Sequence, residues 1–102
     1  MNLNQLPGAE LILNGLEDIH NGKTHTVGAL LIAIASTRLT AAGLVFSKEH
    51  LSLEPELTLY ALLQDQRDDA YPYYNALLSS LNSFCIALEN TYGGKLGLGI
   101  QN

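Results

Sequence analysis

The residues able to carry out chemistry are few, and their spacing does not assemble a catalytic or metal site. His20 and His25 flank a predicted turn, so they lack the same-side i, i+4 spacing of two metal ligands on one helix. His50 stands apart in a connecting segment. Cys85, the single cysteine, falls on the apolar side of a predicted helix, where burial should raise the pKa of its thiol and disfavour a nucleophilic role. We therefore predict no metal site.

Motifs for covalent catalysis and phosphate binding are also missing from the sequence. No serine has an adjacent base in a triad-like arrangement. The glycines of 93–99 lack the preceding strand and following helix that give a phosphate-binding loop its function. The sequence predicts a protein that is not an enzyme and that holds no cofactor.

Tyrosines form the most conspicuous group of candidate binding residues. Tyr71, Tyr73 and Tyr74 are close in sequence, but successive residues diverge by about 100° around a helix, so the three do not share one side. Together with Tyr60 they could line an aromatic pocket or a subunit interface, where tyrosine supplies apolar area and a polar tip. Ordinary packing at the start of a helix is the favoured interpretation.

Arg38 is the only Lys, Arg, Asp or Glu between positions 24 and 47, and a helix would place it beside an apolar stripe. A guanidinium in such surroundings must bind acceptors or reach water. We expect an ion pair within the fold, with Glu17, Glu54 or Asp65 as candidate partners, or hydrogen bonds to the carbonyl groups at the end of its helix. The alternative is an anionic ligand or a carboxylate of a partner chain.

Composition restricts both the class of protein and its partners. The 102 residues fit one domain, and only 15% of them are charged, against about 25% in a typical chain. Ten acidic residues outnumber five scattered basic ones, a balance that argues against nucleic-acid binding. The longest apolar run, 27–35, is too short to span a bilayer, and the N-terminus does not resemble a signal peptide. We predict a cytoplasmic protein with no membrane partner.

Turn residues and apolar periodicity divide the chain into four predicted helices, at about 7–21, 25–42, 55–66 and 70–91. The second is apolar on nearly every side, and a domain of this size has little room to cover such a helix. We therefore expect a second subunit to supply part of its cover. In the third predicted helix, apolar and polar residues also alternate as they do in a strand. The apolar run continues without turn residues, however, which favours a helix.

The fourth predicted helix has the most regular pattern. Tyr74, Leu77, Leu81, Phe84 and Leu88 recur at spacings of three and four, which is typical of a side that faces a core. The opposite side carries small or uncharged residues, and such residues let a second helix approach to about 8 Å. The predicted interface residues are Ala76, Ser79, Ser80, Ser83 and Ala87.

These patterns predict an all-α fold, a compact bundle of four main helices that forms one domain over 1–92, followed by a flexible Gly-rich tail or arm over 93–102. We expect a small protein–protein interaction or regulatory module without catalytic activity, which forms a homodimer through its second and fourth helices and could bind another protein. The alternative hypothesis is a protein that binds a small anionic or aromatic ligand between helices. Its pocket would be lined by Arg38, Tyr60, Tyr74 and His20.

Overall fold

The computed structural model describes residues 3–93, and this part of the chain contains α-helices and no strand. The helices are α1 (Ala9–His20), α2 (Val27–Ile34), α3 (Ser36–Ala41), α4 (Pro55–Gln66) and α5 (Ala70–Leu88), and a π-helical turn (Glu89–Gly93) continues α5. The predicted all-α bundle is confirmed. The predicted tail, apart from Gly93, lies outside the described residues.

The turn between α1 and α2 ends one helix and starts the next. Gly22 has a left-handed backbone (φ 82°), and its N–H donates to the carbonyl oxygen of Ile19 at 3.0 Å. Thr26 then caps α2, because its Oγ1 accepts from the N–H of Ala29 at 3.2 Å. The same hydroxyl donates to Oδ2 of Asp18 at 2.7 Å, which ties the start of α2 to the last turn of α1.

α1 and α2 approach each other at two glycines, Gly15 and Gly28, where the backbones are in contact. A Cβ added to Gly28 would lie 2.8 Å from Cα of Gly15, closer than real Cβ atoms come to a neighbouring atom. A Cβ added to Gly15 would meet the carbonyl group of Gly28. Gly15 therefore serves the packing of the two helices, although glycine inside a helix is unfavourable by itself.

The second predicted helix differs from expectation in two ways. It ends at Ile34, and α3 begins after Ala35, whose φ of −100° and ψ of 17° depart from α-helical values. In addition, a single chain covers α2, since both α1 and α4 pack against it. Four consecutive residues, Ala29, Leu30, Leu31 and Ile32, have no exposed surface. No second subunit is needed to cover α2, because the helix is short and the glycine contact lets α1 come close.

α4 and α5 form a helical hairpin joined by a short turn. In this turn Arg67 pairs with the carboxylate of Asp69 and stacks on the ring of Tyr73, with 3.6 Å between the guanidinium carbon and the ring centroid. Asp69 precedes α5, but its side chain forms no cap hydrogen bond to the helix. Of the residues of α5 that were predicted to face the core, Leu77, Leu81, Phe84 and Leu88 are buried, whereas Tyr74 is half-buried.

Candidate interaction surface

The side of α5 that faces away from the core is exposed and uncharged. This side, which we call the outer face of α5, consists of the exposed residues Asn75, Ala76, Ser79, Asn82, Ser83 and Ile86. No Lys, Arg, Asp or Glu occurs in the 19 residues of the helix. At 1.5 Å per residue the face, from Asn75 to Ile86, is about 17 Å long. Ile86 is 46% exposed, so one large apolar side chain lies among the small polar ones.

The five predicted interface residues divide into two groups in the structure. Ala76, Ser79 and Ser83 are exposed on the outer face, whereas Ser80 and Ala87 are half-buried. The backbone at Gly8 accounts for part of this difference, because a Cβ added there would lie 3.0 Å from the carbonyl oxygen of Ser80. The segment that precedes α1 thus packs beside α5 and leaves Ala76, Ser79 and Ser83 available to a partner.

Arg38 borders the outer face and binds side chains of its own chain. Its Nε and Nη2 donate to the two carboxylate oxygens of Glu89 at 2.8 and 2.9 Å, and its Nη1 donates to Oδ1 of Asn82 at 3.0 Å. These bonds connect α3 to the end of α5. The hydrogen bond from Arg38 lowers the pKa of the Glu89 carboxyl, and the same bond raises the pKa of the guanidinium. An ion pair within the fold was expected, but with other partners.

An apolar groove lies where α4 and the start of α5 meet. Its walls, which we call the tyrosine groove, are Leu57, Tyr60, Tyr71 and Tyr74, and Glu56 stands at its rim. The ring of Tyr60 meets the rings of Tyr74 and Tyr71 edge to face, with centroids 5.4 and 6.5 Å apart. Burial raises the pKa of the Tyr74 hydroxyl, and the negative charge of Glu56 adds to that effect.

The tyrosine groove is open and has room for apolar side chains of a partner. Its volume is about 330 Å³. Leu57 is 67% exposed and Tyr71 is 64% exposed, although both side chains are large and apolar for most of their area. Exposed apolar residues that cluster in this way mark binding surfaces more often than isolated ones do. Sequence reasoning included Tyr60 and Tyr74 among the ligand-binding candidates but missed Leu57. The available signal was that Leu57 and Leu59 cannot both face the core of one helix.

His20 lies in a different depression, which has a volume of about 410 Å³. Leu16, Ile19 and Phe46 form apolar parts of its lining, and His50 is the second imidazole in it. His50 has a left-handed backbone (φ 65°), which is uncommon for a residue other than glycine.

The structure therefore separates the four residues of the predicted ligand pocket. Tyr60 and Tyr74 share the tyrosine groove, and His20 lines the depression beside His50. Arg38 lines a third and smaller hollow of about 210 Å³. A ligand in any one of these places would contact only part of the predicted set.

Cys85 is buried in the core, and burial raises the pKa of its thiol. Within residues 3–93, no three or more His, Cys, Asp or Glu side chains are placed to hold a metal ion. No helix in the same range is long and apolar enough to cross a membrane.

Comparison with known proteins gives no relative: no protein-family model, no curated protein and no solved structure matches the chain. The candidate surface is consequently defined by the geometry and chemistry of this chain alone.

Proposed function

We propose that the protein is a small, non-catalytic protein–protein interaction module that forms a homodimer through the outer face of α5. One observation carries the proposal: a 19-residue helix exposes a continuous side without a single charged residue. A helix side that stays in water normally carries Lys and Glu, which favour both helix formation and solvation. Depletion of charge is instead typical of the centre of a protein interface.

The side chains on this face favour a second helix as the partner. Ala76, Ser79 and Ser83 are small, so two copies of α5 could approach to about 8 Å, the lower end of helix–helix distances. Ile86 supplies an apolar anchor near one end of the face. Because a two-fold axis brings identical surfaces together, each copy would offer the same small residues to the other.

The test is the molar mass in solution of two variants that add the same charge at different places. Ser79→Arg adds a bulky cation to the outer face, whereas Gln64→Arg adds one to an exposed position of α4. We expect light scattering after size exclusion to show a dimer for the unmodified chain and for Gln64→Arg, and a monomer for Ser79→Arg. Equal masses for the two variants would contradict the proposal.

The proposal also places the protein in the cytoplasm, because its single cysteine cannot form a disulfide within the chain. A fusion to a fluorescent protein would show it directly. Enrichment of the fusion at a membrane or outside the cell would contradict this part of the proposal.

A second candidate function, binding of a small anionic or aromatic ligand, is favoured by the depression beside His20 and His50. Its volume of about 410 Å³ lies in the range of small-molecule sites, and it combines apolar walls with two imidazoles. Benzoate is a suitable probe because it is both aromatic and anionic. In an NMR titration we expect the ring signals of His20 and His50 to shift and those of His25, which does not line the depression, to stay unchanged. Equal shifts of all three would count against a site.

A further inference from the structure

The outer face of α5 is too small to hold a dimer together without help. A strip about 17 Å long and about 10 Å wide covers roughly 170 Å² on each copy. A stable protein interface buries about 800 Å² on each partner. A homodimer built on this face therefore needs a further contact. The tyrosine groove is an exposed apolar surface on the same helix, since Tyr71 and Tyr74 belong to α5.

We propose that residues 94–102 of one copy bind in the tyrosine groove of a second copy. The inference rests on the proposed homodimer and names the contact that completes it. In the sequence of this segment, apolar residues stand at alternate positions: Leu96, Leu98 and Ile100. A chain bound in an extended conformation turns such residues to one side, where they can fill an apolar groove.

Charge also matches the segment to the groove. Lys95 is the only charged side chain among residues 94–102, and Glu56 is the only charged residue that lines the groove. Lys95 immediately precedes Leu96, so a bound segment places the ammonium group at the rim when the apolar residues enter. The pairing fixes the direction of the segment more than it adds affinity, because a pair at an exposed rim contributes little.

The segment cannot place all three of its apolar residues in the groove of its own chain. Tyr74 and Gly93 are separated by 19 residues of helix, or about 28 Å. An extended chain advances at most about 3.3–3.6 Å per residue, so Ile100 reaches about 25 Å from Gly93 and Leu96 only about 10 Å. Leu96 and Leu98 thus stop well short of the groove in their own copy.

An antiparallel pair of α5 helices removes this difficulty. If the two copies cross midway between Ser79 and Ser83, Gly93 of one copy is level with Asp69 of the other, just before the partner's groove. The groove lies about a quarter of the helix circumference away from the outer face, because Tyr71 precedes Ser79 by eight residues. The first few residues of the segment suffice to cover that distance. A parallel pair would place the segment at the C-terminal end of the partner's α5, away from the partner's groove.

The added contact increases the buried surface about threefold. Burying a leucine or isoleucine removes roughly 100 Å² of apolar surface from water. Three such side chains and the small groove surface that they cover add roughly 400 Å² per copy, so that the total reaches about 600 Å², the lower end for specific interfaces.

Disulfide trapping tests the contact. One chain carries Leu98→Cys and a second, of distinguishable mass, carries Leu57→Cys, while the native Cys85 stays buried in both. After mild oxidation of the mixture we expect a disulfide between the two different chains. A control mixture replaces Leu57→Cys by Lys23→Cys, an exposed position after α1, and should give no more cross-linking than the unmodified chain. Equal yields for the two mixtures would overturn the proposal.

A single chain that carries both Leu57→Cys and Leu98→Cys distinguishes binding to a partner from binding within one copy. We expect a covalent dimer. An intramolecular disulfide in a species of monomer mass would overturn the proposal.

A pair of variants within the segment measures its contribution to affinity. Leu98→Asp should weaken the dimer at least about tenfold, since it removes a buried leucine and places a charge in an apolar groove. Gln101→Asp adds the same charge outside the alternating apolar positions and should leave the dissociation constant unchanged. If the unmodified chain is a monomer, the proposed homodimer itself fails. If it is a dimer that Ser79→Arg dissociates but Leu98→Asp does not affect, only the inference about the segment fails.

Discussion

Replacement of Gly15 by alanine tests the packing that lets one chain cover α2. In an exposed helix this change would stabilise the protein by about 1 kcal/mol, because alanine has the higher helix propensity. Here the new methyl group would lie 2.9 Å from Cδ1 of Ile32 and would also collide with the carbonyl group of Gly28. The side chain of Ile32 can rotate, but the backbone of α2 can only move away as a unit.

The expected result is a loss of stability despite the gain in helix propensity. Overpacking a core costs about 1–3 kcal/mol, and contacts with backbone place this site at the upper end of that range. Subtracting the propensity gain of about 1 kcal/mol leaves a net decrease of about 1–2 kcal/mol in the free energy of unfolding. Urea unfolding followed by circular dichroism measures this difference, at one fixed protein concentration because dimer dissociation also contributes.

Asn14→Ala is the matched control for this experiment. Asn14 is the neighbouring residue in α1 and is exposed, so its replacement changes helix propensity without touching α2. We expect Asn14→Ala to be as stable as the unmodified chain or slightly more stable. A Gly15→Ala variant with the stability of Asn14→Ala would refute the close approach of the two helices.

Two further predictions concern single hydrogen-bonded side chains. Thr26→Ala removes both the cap on the N–H of Ala29 and the bond to Asp18, so the free energy of unfolding should fall by about 1 kcal/mol in urea unfolding. Glu89→Gln removes the ion pair with Arg38, whose two side chains are both about 40% exposed, so the loss at neutral pH should stay below about 1 kcal/mol. Because pairing lowers the pKa of Glu89 in the folded state, its contribution is present above the ordinary carboxyl pKa and disappears as the pH falls through the lowered value.

Each of these two predictions has a simple control. Thr37→Ala changes an exposed threonine of α3 that forms no described cap, and it should leave stability nearly unchanged. An equal effect of Thr37→Ala and Thr26→Ala would contradict the capping role. For Glu89, the difference in stability between the unmodified chain and Glu89→Gln should shrink on acidification. A difference that grows towards low pH would contradict the direction of the pKa shift.

The helices were predictable where local sequence determines them. α5 is long, its apolar residues keep one period throughout, and the buried residues follow that period. The start of α4 was marked by Pro55 and the end of α1 by Gly22, two residues with restricted or special backbone preferences. Such signals act within a few residues, so a single sequence suffices to detect them.

The remaining features depend on contacts between distant residues. The break at Ala35 has no glycine or proline to announce it. The cover of α2 depends on the approach of Gly15 to Gly28, and glycine in a helix predicts flexibility as readily as close packing. Arg38 binds Glu89, 51 residues away, and nothing in the local sequence distinguishes that carboxylate from nearer ones.

The candidate surface was only partly predictable for the same reason. The absence of charge on one side of α5 can be read from the sequence, but the burial of Ser80 beside Gly8 cannot. The tyrosine groove requires α4 and α5 to meet, which brings the exposed Leu57 next to Tyr71.

Sedimentation velocity of the unmodified chain over a range of concentrations tests the central claim most directly. Self-association through the outer face of α5 predicts a mass that rises with concentration from 11.0 kDa to twice that value and then stops. A mass of 11.0 kDa at every concentration up to several hundred micromolar would contradict it, because the uncharged side of α5 would then face only water.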